Sequence, residues 1–180
     1  MKFFICSLTF LLFTSYECAA KDDIYLEYGI GASKLFSFNS ESNKTLKRYS
    51  MAPSLKLLIG SRLNKARTVS FELGFSYNGE MSSEDATFNS QSFFAGLKLS
   101  TNPMNTYSVF ARTGAGKTDS TITIKGQADT SNQSTHYYGA AGISFRFDPK
   151  RSAALEIQHI NDATSDEGIN GVFLSFNQFI

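Results

Sequence analysis

The chain has 180 residues, which is long enough for one domain. Its formal net charge is only +1, so it lacks the strong positive charge that attracts nucleic acid. Charged residues make up only 18% of it, against about 25% in an average soluble domain. Aromatic residues make up 14%, with 17 Phe and no Trp. This composition is unusual for an ordinary soluble domain, and we expect no nucleic-acid partner.

The first 20 residues have the pattern of a secretory signal peptide. Lys2 supplies a short positive region, residues 3–13 are mostly apolar, and small residues precede a cleavage site after Ala20. The apolar run is shorter than the roughly 20 residues that a membrane-spanning helix needs. We therefore expect residues 1–20 to be a signal peptide and residues 21–180 to form one domain.

Both cysteines, Cys6 and Cys18, lie in this segment. The remaining chain therefore has neither a disulfide nor a thiolate zinc site, and we expect no metal and no cofactor. A lipoprotein signal acylated at Cys18 is the less favoured alternative, because Tyr16 and Glu17 suit that signal badly.

From residue 24 onward, apolar residues recur at every second position, which predicts β-strands. In the third strand, for example, Phe71 and Leu73 alternate with Glu72 and Gly74. The eight predicted strands are residues 24–36, 49–61, 68–78, 91–100, 106–117, 135–147, 152–160 and 169–180.

Polar loops and short turns connect these strands in near alternation, as in an antiparallel meander. Residues 121–125 can prolong the fifth strand into its loop. The last strand would leave an open edge unless it pairs with the first, and that pairing closes a barrel. The predicted loops are residues 37–48, 79–90, 118–134 and 161–168.

An eight-stranded barrel can be soluble or can span a membrane, and the two faces of the strands distinguish these cases. One face is bulky and almost free of charge, whereas the other consists mostly of Gly, Ser and Ala. The pattern favours an all-β, antiparallel, up-and-down transmembrane barrel over a lipocalin-like one. In the last strand, the residues expected to face lipid are Val172, Leu174, Phe176 and Ile180, and those expected to face the lumen are Ser175 and Asn177. The residues expected to form an interfacial aromatic girdle are Tyr28, Tyr49, Tyr77, Tyr107, Tyr137 and Phe147.

The same alternation places seven charged side chains inside the barrel, where buried charges must be paired. Such a network can act as an ion-pair gate in a narrow pore or as a salt-bridged plug. An eight-stranded lumen is only wide enough for its own side chains, which favours the plug. The predicted network consists of Glu27, Lys56, Glu72, Lys98, Arg112, Arg146 and Glu156.

With its signal peptide, eight alternating strands and C-terminal strand, the chain resembles the small OmpA/OmpX-like barrels of Gram-negative outer membranes. The resemblance implies an outer-membrane location, contact with outer-membrane lipids and lipopolysaccharide, and exposed loops that carry any ligand specificity. It also implies that the barrel assembly machinery reads the last strand, although Ile180 stands where the family usually has Phe. The implied role is structural or one of surface interaction, such as adhesion or envelope integrity.

The segment around His159 resembles part of the lipid A deacylases, which are eight-stranded outer-membrane barrels with a serine, a histidine and an acid on the lipid-facing surface. His159 matches the base, but Asn161 stands in place of the serine and Asn170 roughly in place of the acid. A carboxamide cannot act as the nucleophile. We therefore expect no enzyme, with a lipid A acyl hydrolase as the alternative, and we expect His136 to be interfacial.

Overall fold

A computed structural model gives the fold and describes residues 24–37, 50–64, 66–83, 86–101, 105–162 and 167–180. The predicted signal peptide lies outside the described residues. Within the described part, no helix is long and apolar enough to cross a membrane. The strands are β1 (Ile24–Ser37), β2 (Ala52–Arg62), β3 (Val69–Ser82), β4 (Ala86–Ser100), β5 (Tyr107–Ile124), β6 (Thr130–Asp148), β7 (Arg151–Asp162) and β8 (Glu167–Phe179).

The eight strands form one closed antiparallel barrel in sequence order, which confirms the predicted fold class. The closing pair is β1 with β8, in register from Tyr25 opposite Phe179 to Ser37 opposite Glu167. This pairing uses the edge that the last strand would otherwise expose. Every strand therefore has two neighbours.

The barrel has two distinct ends. The end that holds the start of β1, the end of β8 and the connections β2–β3, β4–β5 and β6–β7 is here named the terminus end. The opposite end, with the connections β1–β2, β3–β4, β5–β6 and β7–β8, is named the loop end.

The predicted loops at the loop end are wrong in extent. Most of residues 79–90 and 118–134 belongs to strands, and the connections there shrink to residues 83–85 and 125–129. Ser and Thr residues gave these segments a polar, loop-like composition, yet their backbones pair fully across β4 and β5, as in Ala86 opposite Ile124. Only residues 121–125 showed the alternation that predicts a strand. Residues 38–48 and 163–166, from the other two predicted loops, lie outside the described residues.

Burial alternates along the strands, as the sequence pattern predicts, and a shift in β3 interrupts this alternation. In β3 the register with β4 changes between Asn78 and Met81, so Asn78 and Met81 are both buried although they are three residues apart. A bulge of this kind inserts an extra residue and reverses the alternation beyond it. The bulge in β3 therefore directs the side chain of Met81 into the lumen at the loop end.

Candidate functional site

Six charged side chains from six strands meet inside the lumen, because each occupies an inward position of its strand. All but one of these side chains are 0–1% exposed, and Lys98 is 14% exposed. The group is named the ion cluster and consists of Glu27 on β1, Lys56 on β2, Glu72 on β3, Lys98 on β4, Arg112 on β5 and Glu156 on β7.

Arg112 contacts all three carboxylates of the ion cluster. Its Nη1 donates to Glu27 Oε1 at 2.9 Å and also to Glu156, while its Nη2 donates to the second oxygen of Glu27. Its Nε lies 3.2 Å from Glu72 Oε2. A guanidinium presents several donors in one plane, which allows a single side chain to join three strands across the lumen.

The two lysines complete the charge balance. Lys56 Nζ lies 2.6 Å from Glu156 Oε1 and 3.1 Å from Glu27 Oε1. Lys98 Nζ is more loosely held, at 3.9 Å from Glu27 and 4.0 Å from Glu72. Three cations thus face three carboxylates, and no formal charge is left over. Such balance is what a buried ionic group requires.

Arg146, the seventh predicted member, lies apart from the ion cluster. Its Nε donates to the carbonyl of Asp148 at 2.9 Å, and its Nη2 donates to the carbonyl of Pro149, both at the terminus end. On β6 the residue opposite Glu156 is Gly142. Arg146 is four positions further along, or about 13 Å at the rise of an extended strand. Alternation predicts its face correctly but says nothing about its height in the lumen.

Inward-facing aromatic rings fill the lumen beside the ion cluster, and inward-facing glycines make room for them. The rings of Phe94 and Tyr138 pack at a centroid distance of 4.4 Å. A Cβ added at Gly74 would lie 2.5 Å from the ring of Phe94, and one at Gly114 would lie 2.4 Å from the ring of Tyr138. The small residues of the polar face are therefore complements to large rings within a narrow barrel.

Apolar side chains close the lumen at the loop end, a feature that sequence reasoning missed. Met81 is 0% exposed and Phe88 is 6% exposed, and the two residues are opposite each other in the β3–β4 register. Sequence reasoning missed the bulge in β3 and the early start of β4, which places Phe88 in a strand although residues 79–90 were predicted to be a loop. This group is named the apolar cap and comprises Leu35, Ala52, Met81, Phe88, Ile122, Ile160 and Ile169.

His136 lies inside the barrel and not at the membrane interface, so that prediction is wrong. The residue is 1% exposed, and its Nδ1 is 2.9 Å from Thr118 Oγ1, which is in turn 2.7 Å from Ser92 Oγ. β6 begins at Thr130, which moves His136 from a strand end into the strand. Across the described residues, no group of three or more His, Cys, Asp or Glu side chains could hold a metal ion.

The outer surface is apolar, and aromatic rings cover part of it near the terminus end. Tyr107 packs on Phe145 at 5.2 Å, and Phe145 packs on Phe147 at 5.1 Å. Phe147 continues to Phe176 at 6.2 Å, which contacts Tyr28 at 5.3 Å. These five rings form an unbroken row from β5 to β1, as expected of an interfacial girdle. Tyr77 and Tyr137 are also exposed, and Tyr49 lies outside the described residues.

The barrel, its apolar exterior and its closed lumen agree with a match to a protein-family model. Residues 5–179 match the model described as the outer membrane protein beta-barrel domain. The chain belongs to this family. Membership confirms the predicted resemblance and places this outer-membrane barrel in the envelope of a Gram-negative bacterium.

Solved structures share the fold of this outer-membrane barrel. Neisserial surface protein A has a TM-score of 0.71 at 11% identity, over 88% of this chain and 97% of that one. The attachment invasion locus protein Ail of Yersinia pestis has a TM-score of 0.60 at 16% identity, over 89% and 100%. The N-terminal β-barrel domain of Pseudomonas aeruginosa OprF has a TM-score of 0.60 at 15% identity, over 87% and 98%. A search of curated protein sequences gave no match.

On the outer face of this outer-membrane barrel, His159 is paired with Asn170. His159 Nδ1 lies 2.6 Å from Asn170 Oδ1, and the two residues are opposite each other in the β7–β8 register. The amide occupies the position of an orienting acid but carries no charge to stabilise an imidazolium. Asn161, which the sequence comparison predicted to stand in place of the serine, is exposed and bears no hydroxyl. The pair can fix the imidazole ring but supplies no nucleophile.

Proposed function

We propose that this protein acts as a closed outer-membrane scaffold whose loop end interacts with partners at the cell surface, in adhesion or in envelope integrity. The observation that carries the proposal is that the ion cluster and the apolar cap block the lumen at two levels. Because its own side chains fill the interior, the barrel contacts other molecules through its outer surfaces. The extended strands of the loop end are one such surface outside the membrane.

The β5–β6 hairpin supports the proposal because its strands are longer than a membrane requires. β5 has 18 residues and β6 has 19, whereas a transmembrane strand needs about 9–11. Side-chain hydrogen bonds stabilise the part of the hairpin that exceeds this length, at the loop end. Gln133 Nε2 donates to Asp119 Oδ1 at 2.8 Å, and Thr123 Oγ1 donates to Asp129 Oδ1 at 2.8 Å. Lys117 and Gln133 are exposed on this ordered, polar ribbon.

The loop end faces the cell exterior in this proposal, and the terminus end faces the periplasm. Lipopolysaccharide and other outer-membrane lipids then surround the apolar exterior, and the barrel assembly machinery reads β8. The long β5–β6 hairpin supports this orientation, since outer-membrane barrels have short turns on the periplasmic side and longer extensions on the outside.

An attachment assay tests the surface role. Bacteria that display the full chain are allowed to bind epithelial cells and immobilised glycans, and are compared with a Lys117→Ser/Gln133→Ser variant. The matched control is Thr106→Ser/Lys150→Ser, with one lysine and one polar residue changed at the terminus end. We expect attachment to fall severalfold with the first variant and to be unchanged with the second. Equal attachment by displaying and non-displaying cells would reject the surface role.

A sulfated glycan is one useful probe in that assay. Ail, at a TM-score of 0.59 and 15% identity, was solved in complex with the heparin analogue sucrose octasulfate. This identity carries over the fold alone, so the glycan enters as a probe and not as an assigned ligand.

A narrow channel and a lipid A acyl hydrolase are the alternative functions. Single-channel recordings would show a steady conductance if the ion cluster were a gate. If His159 takes part in hydrolysis, mass spectra of lipid A should show the loss of an acyl chain in cells that contain the protein and not in cells that lack it. The balanced charge of the ion cluster does not favour a channel. The lack of a hydroxyl at Asn161 does not favour a lipid A acyl hydrolase.

A further inference from the structure

The terminus end of the lumen contains a small cavity with a mostly polar lining. Its volume is about 40 Å³. A cavity needs roughly 10–15 Å³ to hold one water molecule, so this one has room for about three. The described lining residues are five serines, one asparagine, four cationic side chains and two aromatic rings. A cavity of this size holds water when its lining is polar and stays dry when its lining is apolar.

Lys98 is the member of the ion cluster that lines this cavity. Its side chain is 14% exposed, whereas the other five are 0–1% exposed. Its Nζ lies 3.9 Å from Glu27 Oε2 and 4.0 Å from Glu72 Oε1. Both distances exceed the roughly 2.7–3.2 Å of a direct N–H···O hydrogen bond. Water bridges polar groups at such distances, and it leaves the charge balance of the ion cluster unchanged.

Lys56 is the directly bonded counterpart of Lys98 in the same cluster. Its Nζ lies 2.6 Å from Glu156 Oε1 and 3.1 Å from Glu27 Oε1, and its side chain is 1% exposed. The two lysines thus carry the same charge but differ in their contacts. The difference follows from their positions, because Lys98 borders the cavity whereas Lys56 is enclosed by the carboxylates.

Asn177 and two serines give a second indication of water, independent of Lys98. Asn177 lines the cavity and is 2% exposed, and its Oδ1 has no hydrogen-bond partner within the described residues. This oxygen is an acceptor, which the O–H of a water molecule satisfies. Ser108 and Ser144 also line the cavity, with hydroxyl oxygens 2.6 Å apart. One hydroxyl donates to the other, so one O–H of the pair is left to donate to water.

The lumen is open toward solvent at one end and closed at the other. Ser144 and Arg146, which line the cavity, are partly exposed at the terminus end. At the loop end the apolar cap fills the lumen, and Phe88 of this cap is buried. On β4, Ser92 lies between Phe88 and Lys98 and is 0% exposed. The ion cluster therefore has a polar cavity on one side and tightly packed side chains on the other.

We propose that this cavity is a hydrated vestibule that gives solvent access to the ion cluster from the terminus end and not from the loop end. About three water molecules bind in it and join Lys98 to Asn177 and to the Ser108–Ser144 pair. Lys98 is then the member of the ion cluster that is held through water. The vestibule depends neither on the proposed surface role nor on which side of the membrane the terminus end faces.

Cysteine labelling in lipid vesicles tests the one-sided access. With Cys6 and Cys18 replaced by serine, each variant of the full chain carries a single thiol. A small, membrane-impermeant thiol reagent is added first to one side of the vesicles and then, in a separate sample, to the other. Lys150→Cys marks the side that holds the terminus end, and Gln133→Cys marks the side that holds the loop end, because both positions are exposed.

Two positions inside the lumen then report the access. We expect Ser144→Cys to react from the side marked by Lys150→Cys and not from the side marked by Gln133→Cys. Ser92→Cys is the matched control, a serine of the same lumen on the far side of the ion cluster, and should react from neither side. Reaction of Ser144→Cys from the loop-end side or from neither side, or reaction of Ser92→Cys, would overturn the proposal.

The bound water is tested on the unaltered protein, so this result does not depend on the variants folding. Nuclear Overhauser cross-peaks should connect water with the side-chain amide of Asn177 and should not connect it with Ser92. Their absence at Asn177 would reject the water cluster.

A pair of lysine variants tests the water-mediated contact. Lys56→Met should lower the urea midpoint of unfolding at least twofold more than Lys98→Met. The reason is that water in the vestibule solvates the carboxylate oxygens that Lys98 leaves, whereas those that Lys56 leaves stay buried. Equal losses for the two variants would show that Lys98 is not held through water.

Discussion

Arg112 on β5 binds Glu27 on β1 across the lumen with both of its terminal nitrogens, one of them at 2.9 Å from Oε1. The two strands are not neighbours in the barrel. The pair therefore links opposite walls, and the same guanidinium also contacts Glu72 and Glu156. Arg112 is thus the group on which the charge balance of the lumen depends.

Replacing Arg112 by alanine should strongly destabilise the barrel. Glu27, Glu72 and Glu156 would then face only two lysines, and a buried carboxylate that loses its partner costs about 3–5 kcal/mol. Urea unfolding in lipid vesicles, followed by heat-modifiable gel mobility, measures the change. Arg146→Ala is the matched control, because it removes hydrogen bonds to two backbone carbonyls and should cost about 1 kcal/mol. Similar losses for both variants would contradict a special role for Arg112.

Gly74→Ala should destabilise the barrel through a clash inside the lumen. The added Cβ would lie 2.4 Å from Leu58 Cδ2 and 2.5 Å from the ring of Phe94, and overpacking of this kind costs about 1–3 kcal/mol. Gly139→Ala is the control, because its Cβ would meet nothing closer than 4.0 Å. That variant should stay within about 0.5 kcal/mol of the native free energy of unfolding.

A double-mutant cycle identifies the contact. Phe94→Ala should cost less in the Gly74→Ala background than in the native protein, since the first change already disturbs the same packing. Additive effects would show that Gly74 is required for another reason.

The face of most strand residues could be predicted from the sequence, whereas their positions along the barrel axis and the bulge in β3 could not. Period-two alternation places Glu27 and Arg112 in the lumen, because strand side chains alternate. It does not show that Arg146 is too far along β6 to join them, since height depends on the register between strands. Register follows from backbone pairing across the whole barrel, which no single strand encodes.

The apolar cap escaped prediction for two reasons. The bulge near Asn78 reverses the alternation in β3, so Met81 cannot be assigned to the lumen from the pattern before it. Phe88, which is opposite Ile122 in the β4–β5 register, lies in residues 79–90, whose polar composition predicted a loop. The predicted extension of the fifth strand over residues 121–125 therefore had no partner strand to pair with.

Conductance should require the opening of both barriers in the lumen, because the ion cluster and the apolar cap lie in series. The native protein should show no steady single-channel conductance in planar bilayers. Met81→Ala/Phe88→Ala enlarges the lumen only at the loop end, and Glu72→Ala changes only the ion cluster, so neither should conduct. The combined variant should conduct measurably. A steady current through the native protein would instead support a gate.

Leu174→Arg should lower the free energy of unfolding far more than the same change near the end of the chain. Leu174 lies within β8, is 58% exposed, and is opposite Ile30 and Leu155, which are also outward and apolar. An arginine on the lipid-facing side costs about 2–4 kcal/mol at the bilayer midplane and about 0–1 kcal/mol near the interface. Ile180→Arg is the matched control, because Ile180 is 51% exposed and follows the last residue of β8. Refolding into vesicles at increasing urea measures both variants. Equal losses in the free energy of unfolding at the two positions would show that the outward residues of β8 do not lie at different depths in the bilayer.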